Sequence, residues 1–170
     1  RLYSPTPGNA EALADELSQA SWCPEIRVVA DPDEAVRTAD IIWTATTSLT
    51  PTFSAASVAP GAHIVGIGSF QPSMVEIEPS ILNKGTVFVD QMEASWSEAG
   101  EMIAARSQGL LDFEEVTELG EIVLGLHPGR ADDHEITVFK SVGIAAQDAM
   151  ASSIALDAAE IHGLGTTVQL

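Results

Sequence analysis

Short runs of β-forming residues recur along this chain, separated by helix-length segments, and that pattern leaves few folds open. Ile41 to Thr46, His63 to Ile67, Val87 to Val89 and Ile136 to Phe139 read as strands, since β-branched and aromatic side chains suit a pleated, half-buried surface. Arg1 to Ser4 reads as the end of a further strand and Ile26 to Val29 as another. A helix is expected from about Ala10 to Ala20, with Ala12, Leu13 and Leu17 on one face. A second, short one follows Asp31, a capping residue, with Pro32 in its first turn. Ile77 to Leu82, Glu93 to Arg106, Glu118 to Leu124 and Gly143 to His162 complete the helical set. Strands alternating with helices imply an α/β fold with a parallel sheet and crossover helices.

A dinucleotide-binding domain of the Rossmann type is built in this way. It opens on a central strand and a Gly-rich turn, GxGxxG or a variant, at a helix N-terminus. No such turn follows a strand here. Residues 1–142 are therefore expected to form an incomplete Rossmann-type domain that starts at the second strand, lacking the first strand and the Gly-rich turn. In the order 3-2-1-4-5-6 the absent strand lies between the second and the fourth, and its absence exposes two backbone edges. The expectation is a fragment, a cleaved piece or half of a split protein, with the missing N-terminal half as its partner and no stable fold alone. Residues 143–170 are expected to leave for a second domain. Ile144, Met150, Ile154 and Ile161 are spaced for a buried helix face there, and the tail Thr166 to Leu170 could add a strand.

Composition excludes several partners. The formal net charge is -18, and Lys84 and Lys140 are the only lysines. Nucleic acid requires a basic footprint, and anionic membrane surfaces attract basic segments, so neither is expected. An acidic surface keeps a protein soluble, and one so poor in lysine also suits high salt, where screening removes the self-repulsion of carboxylates. No apolar run approaches the roughly 20 residues of a membrane span. Cys23 is the only cysteine, which rules out an internal disulfide and fits a reducing, cytoplasmic location. His63, His127, His134 and His162 show no ligand spacing, so no catalytic metal is expected.

Chemistry in an open α/β sheet gathers outside the carboxyl ends of the strands. ITVFKSVGIAAQD, Ile136 to Asp148, places Lys140 and Ser141 at such an end, with Gly143 opening the helix behind them. ADIIWTATTSLTPTF, Ala39 to Phe53, leaves its strand through Thr44, Ala45 and Thr46, either a cofactor border or an ordinary Ser/Thr loop. In GAHIVGIGSFQPSMVEI, Gly66 and Gly68 leave little bulk around a strand end, as a nicotinamide ring would need. In RLYSPTPGNAEALADEL, Ser4 stands where NAD-selective folds carry an acid, and no carboxylate occurs before Glu11. Ser4 and Thr6 can hydrogen-bond a 2′-phosphate, so NADP(H) is preferred and NAD(H) remains possible; a plain helix-entry turn is the alternative. Asp90 bounds the site or caps the next helix, Glu98 and Glu101 are expected to face solvent, and Lys140 is either a charge for substrate or phosphate or a solvated lysine.

Taken in order, these segments resemble the ornithine cyclodeaminase/mu-crystallin family over nearly the whole chain, as do VFVDQMEASWSEAGEM, ELGEIVLG and Gly129-Arg130. The resemblance implies a Rossmann domain joined to a second domain that binds substrate and forms a homodimer. It implies that Thr44, Ala45 and Thr46 border the dinucleotide, and that Lys140, Ser141 and Gly143 lie near the nicotinamide. One position discriminates. Ornithine cyclodeaminases carry an aspartate in the loop after the second Gly, which acts on the substrate's amine. Aligned through Gly68, Pro72 and Glu76, that position here is Phe70, which cannot accept a proton. It either walls an apolar pocket or simply packs. The resemblance then favours an NAD(P)H-dependent reductase of a small cyclic imino acid, like ketimine or Δ1-pyrroline-2-carboxylate reductases. Conversion of ornithine to proline and ammonia with bound NAD, or NADP binding without turnover, are the alternatives. No full catalytic set can be named from this chain.

Overall fold

In the computed structural model, which describes every residue except Pro24, Thr167, Gln169 and Leu170, five strands form one parallel sheet. They are β1 (Ile41–Thr44), β2 (His63–Gly66), β3 (Thr86–Val89), β4 (Val116–Glu118) and β5 (Thr137–Lys140), in the order β1-β2-β5-β3-β4. Parallel neighbours cannot be joined by a hairpin. The connections accordingly carry α3 (Pro79–Lys84), the pair α4 (Met92–Glu98) and α5 (Gly100–Ser107), and α6 (Leu119–Val123). α1 (Pro7–Ser18) and α2 (Pro32–Val36) precede the sheet, and α7 (Ala145–His162) follows it. This is the α/β architecture that the alternation implies. None of the described helices is long and apolar enough to cross a membrane.

Register explains the core. Ile42, Ile64, Val138, Val87 and Val116 stand in one row across all five strands. Side chains in such a row share a face, and all five are buried against Ile81, Leu82, Met102 and Ala105 from α3 and α5. Full burial of each large apolar side chain is worth about 1.5–3 kcal/mol. The opposite face is less covered: Ile41 and Trp43 of β1 are 68% and 65% exposed.

Several expectations are corrected. Arg1 to Ser4 and Ile26 to Val29 do not form strands. They meet only at one parallel bridge, Leu2 to Val28, with hydrogen bonds of 2.9 and 3.0 Å, outside the five-stranded sheet. The helix expected over Glu118 to Leu124 is present as α6, with Glu118 as its N-cap, but the strand before it, Val116–Glu118, was not expected; three residues are too few to show a period. The helix expected from Glu93 to Arg106 breaks at Ala99, whose extended backbone ends α4 and begins α5. The break sits where a Cβ on Gly100 would collide with the carbonyl oxygen of Met74, so the chain turns to let that loop approach. The α7 face expected to meet a second domain packs on nothing within the described residues, with Met150, Ile154 and Ile161 each more than half exposed. The tail proposed to add a strand falls mostly outside the described residues.

Two outcomes test this account, both measurable by urea unfolding of the full-length protein. Ile64→Ala, in the central row, should cost about 2–5 kcal/mol and Ile64→Val about 0.5–1.5. The second concerns pH. Arg130 Nη2 donates to Thr137 Oγ1 at 2.9 Å, and the same hydroxyl is hydrogen-bonded to His63 Nδ1 at 2.7 Å. Burial first, and the Arg130 charge second, hold His63 below its ordinary pKa. The unfolded chain therefore binds the proton more readily, and stability rises with pH in that window. The His63 contribution is complete above about pH 6.5 and is lost as pH falls toward the lowered folded value. Stability should fall between pH 7.5 and 5.5, and His63→Gln should flatten that slope.

Candidate functional site

The carboxyl ends of β1, β2 and β5 lie side by side because β5 inserts next to β2. Thr44 pairs in register with Gly66, and Gly66 with Lys140. Thr44 is buried, Ala45 exposed and Thr46 half-buried, so the chain leaving β1 offers small side chains along the edge. Gly66 has no room for a side chain, since a Cβ would stand 2.7 Å from Ile77 Cδ1. Gly68 is more constrained. A Cβ there would strike the backbone N and O of Thr46 and lie 2.5 Å from Glu76 Oε1.

Glu76 organises both loops. Its carboxylate accepts the N–H of Thr46, of Gly68 at 2.6 Å and of Ser69 at 3.0 Å. Its carbonyl accepts the N–H and hydroxyl of Thr52, each at 2.9 Å, and Val75 N–H donates to Ser48 O at 2.9 Å. The segments after β1 and β2 are thereby stitched together. Phe70 follows at once and is 46% exposed, its ring left at the surface of the edge.

The segment after β5 is held by Asp90. Oδ2 accepts from the Ser141 hydroxyl at 2.6 Å, Val142 N–H at 3.2 Å and Gly143 N–H at 3.0 Å. Asp90 is thus no helix cap; Gln91 caps α4, its side chain accepting from Ala94 N–H at 2.6 Å. Gly143 has φ +84 and open space above its Cα, so the turn presents bare backbone. The Ser141 hydroxyl and the Gly143 N–H, expected to face a cofactor, are engaged by Asp90.

Lys140 is placed differently from its expected role. Strand alternation puts it on the face of Val138, toward the helices, and it is fully buried. Nζ donates to Ser69 O at 2.6 Å and Gly66 O at 3.2 Å and lies 3.4 Å from Glu101 Oε1. Its ammonium is neither solvated nor offered to a ligand. Glu101, expected in solvent, is buried with it. Ser4 and Thr6 stand apart. Thr6 N–H donates to Ser4 Oγ at 3.2 Å, and among the described residues no hydrogen bond joins either to the sheet edge.

A Gly-lined, Thr-bordered edge at the carboxyl ends of parallel strands is where open α/β sheets bind their ligands. The family model described as "Ornithine cyclodeaminase/mu-crystallin family" matches residues 1–162. The chain belongs to that family. It is 37% identical to a Delta(1)-pyrroline-2-carboxylate reductase of Bacillus cereus over 99% of this chain and 52% of that protein. It is 34% identical to the ketimine reductase mu-crystallin of Macropus fuliginosus over 92% of this chain and 46% of that one. The structure of Thermococcus litoralis Delta(1)-pyrroline-2-carboxylate reductase in complex with NADH and L-proline superposes with a TM-score of 0.92 at 35% identity, covering 98% of this chain and 51% of that one. The chain spans about half the length of the relatives it matches.

Within the family frame, the residues missed by sequence reasoning are Ser69, Glu76 and Glu101. A signal existed for the last two. Glu76 sits between Val75 and Ile77, and Glu101 lies one helical turn before Ala105 and beside Met102, on the apolar side of α5. An acid within an apolar stripe is expected to be buried and paired. The crowding at Gly68 is checked by Gly68→Ala, which should destabilise by about 1–3 kcal/mol because backbone cannot give way. Gly120→Ala, with nothing within 4 Å, should not destabilise; denaturant midpoints distinguish the two.

Proposed function

We propose that the protein carrying this chain reduces a small cyclic imino acid with NADPH or NADH. The observation that carries this reading is Phe70, an apolar ring left open at the cofactor edge where cyclodeaminases place an aspartate. Among relatives more than 30% identical are a Delta(1)-pyrroline-2-carboxylate reductase and a ketimine reductase. Thr44, Ala45 and Thr46 would border the dinucleotide, Gly66 and Gly68 would leave room for its nicotinamide ring, and the Lys140–Gly143 backbone would line the far side. The bound nicotinamide supplies a hydride for the C=N carbon. The chain's own residues position that ring, and Phe70 excludes water from the substrate side.

We further infer a preference for NADPH, since Ser4 and Thr6 offer hydroxyls where a carboxylate would repel a 2′-phosphate. The related Thermococcus structure holds NADH, so both cofactors enter the test. Parallel sheets are ordinarily covered on both faces. The exposed Ile41, Trp43 and α7 support a reading in which residues 143–170 pass into a substrate-binding, dimer-forming domain. The single cysteine supports a cytoplasmic location.

The assay offers Δ1-pyrroline-2-carboxylate with NADPH or NADH, and separately ornithine with NAD, to the full-length protein in high-salt buffer. Oxidation of the reduced cofactor by the imine, with NADPH favoured and no ammonia from ornithine, is the expected result. Ammonia and proline from ornithine with no net cofactor change would establish cyclodeamination instead. Tight dinucleotide binding without turnover would establish a binding protein. Phe70→Asp should cut imine reduction by at least about ten-fold, with little change in Tm.

A further inference from the structure

Two buried carboxylates and one buried ammonium converge on a single serine. Ser69 donates its hydroxyl to Glu101, 2.7 and 2.6 Å from the two carboxylate oxygens, and its N–H to Glu76 at 3.0 Å. Its carbonyl accepts from Lys140 Nζ at 2.6 Å, and that nitrogen lies 3.4 Å from Glu101. Ser69, Glu76, Glu101 and Lys140 are each 0% exposed. Every polar group of Ser69 is therefore engaged, while the next residue, Phe70, is 46% exposed.

Stability alone does not account for this arrangement. Well-packed apolar residues of similar volume serve a core as well as a buried ion pair, or better, because they carry no desolvation cost. Hydrogen bonds to charged groups differ from apolar contacts in being directional. They fix where a backbone atom sits and which way it faces, which packing by itself does loosely. The fixed atoms here belong to the stretch between Gly68 and Phe70, and the anchors come from three separate places: the loop leading to α3, the first turn of α5 and the end of β5.

The geometry points to Ser69, Glu101 and Lys140 as positioning residues. They hold Gly68 and Phe70 at the sheet edge so that ring and substrate meet in one geometry. None of their side chains touches substrate or cofactor. The kinetic part of this inference rests on the reductase reading, and the structural part does not.

The test compares Ser69→Ala and Glu101→Gln with Ile64→Val in the full-length protein, all well below their Tm values. Ile64→Val destabilises the core without touching the loop and controls for a merely structural role. Amide exchange at Gly68 to Phe70 should accelerate at least about ten-fold in the two loop variants, with no change over Val87 to Val89. In turnover, kcat should fall at least about ten-fold while the dinucleotide Kd stays within about three-fold, because the defect lies in reacting geometry rather than in binding. Should Glu101→Gln fail to fold, Ser69→Ala decides, since it removes only the hydroxyl link. Exchange and kcat indistinguishable from Ile64→Val would overturn the inference. If the unsubstituted protein neither binds dinucleotide nor turns over, the reductase reading falls. Exchange then decides the clamp: acceleration confined to Gly68 to Phe70 upholds it, and its absence overturns it.

Discussion

The structure turns on the buried contact between Lys140 and Glu101. Removing one partner of such a pair leaves an uncompensated charge in the interior, at a cost of about 3–5 kcal/mol. The cost is offset here because each buried charge meets polar partners as well as its counter-charge. Lys140 Nζ meets two carbonyls and a carboxylate, and that carboxylate also takes the Ser69 hydroxyl. The end of β5, the exit of β2 and the start of α5 are bound into one unit. Gly100 makes the approach possible, since a side chain there would push α5 off the Met74 loop and carry Glu101 out of reach of Ser69.

A division of labour follows along the sheet edge. Carboxylates buried beneath it, Glu76 and Glu101, hold the loops from below, and Asp90 holds the turn after β5 from the side. What the edge shows outward is small or apolar: Ala45, Gly68, the open Gly143 turn and the ring of Phe70. A site of this kind has little acid–base chemistry of its own. That suits the hydride transfer proposed above, in which the protein would supply orientation and exclusion of water and a nicotinamide the reactivity.

Much of this was legible in the sequence. Four of the five sheet strands announced themselves through Ile, Val and Phe, and β4 alone was too short to register. The candidate edge was legible too, because small and hydroxyl residues cluster where apolar runs end. The family was recognisable from segment order, and the one informative departure, Phe70, from alignment through Gly68, Pro72 and Glu76. Solvent was the wrong environment for Glu101, and an outward charge the wrong role for Lys140, since charge alone suggests exposure and only neighbours can override it.

The sequence by itself determined four of the five sheet strands, that the sheet is parallel, and that its strand ends are lined by small residues. Local propensity and short-range pattern decide those matters. Tertiary structure decided that β5 lies between β2 and β3, placing Lys140 opposite Gly66 and within reach of Ser69 and Glu101. It also reduced Leu2 and Val28 to a single bridge outside the main sheet. Strand order and the pairing of buried charges depend on contacts between residues tens of positions apart, and no local window of the chain contains both partners.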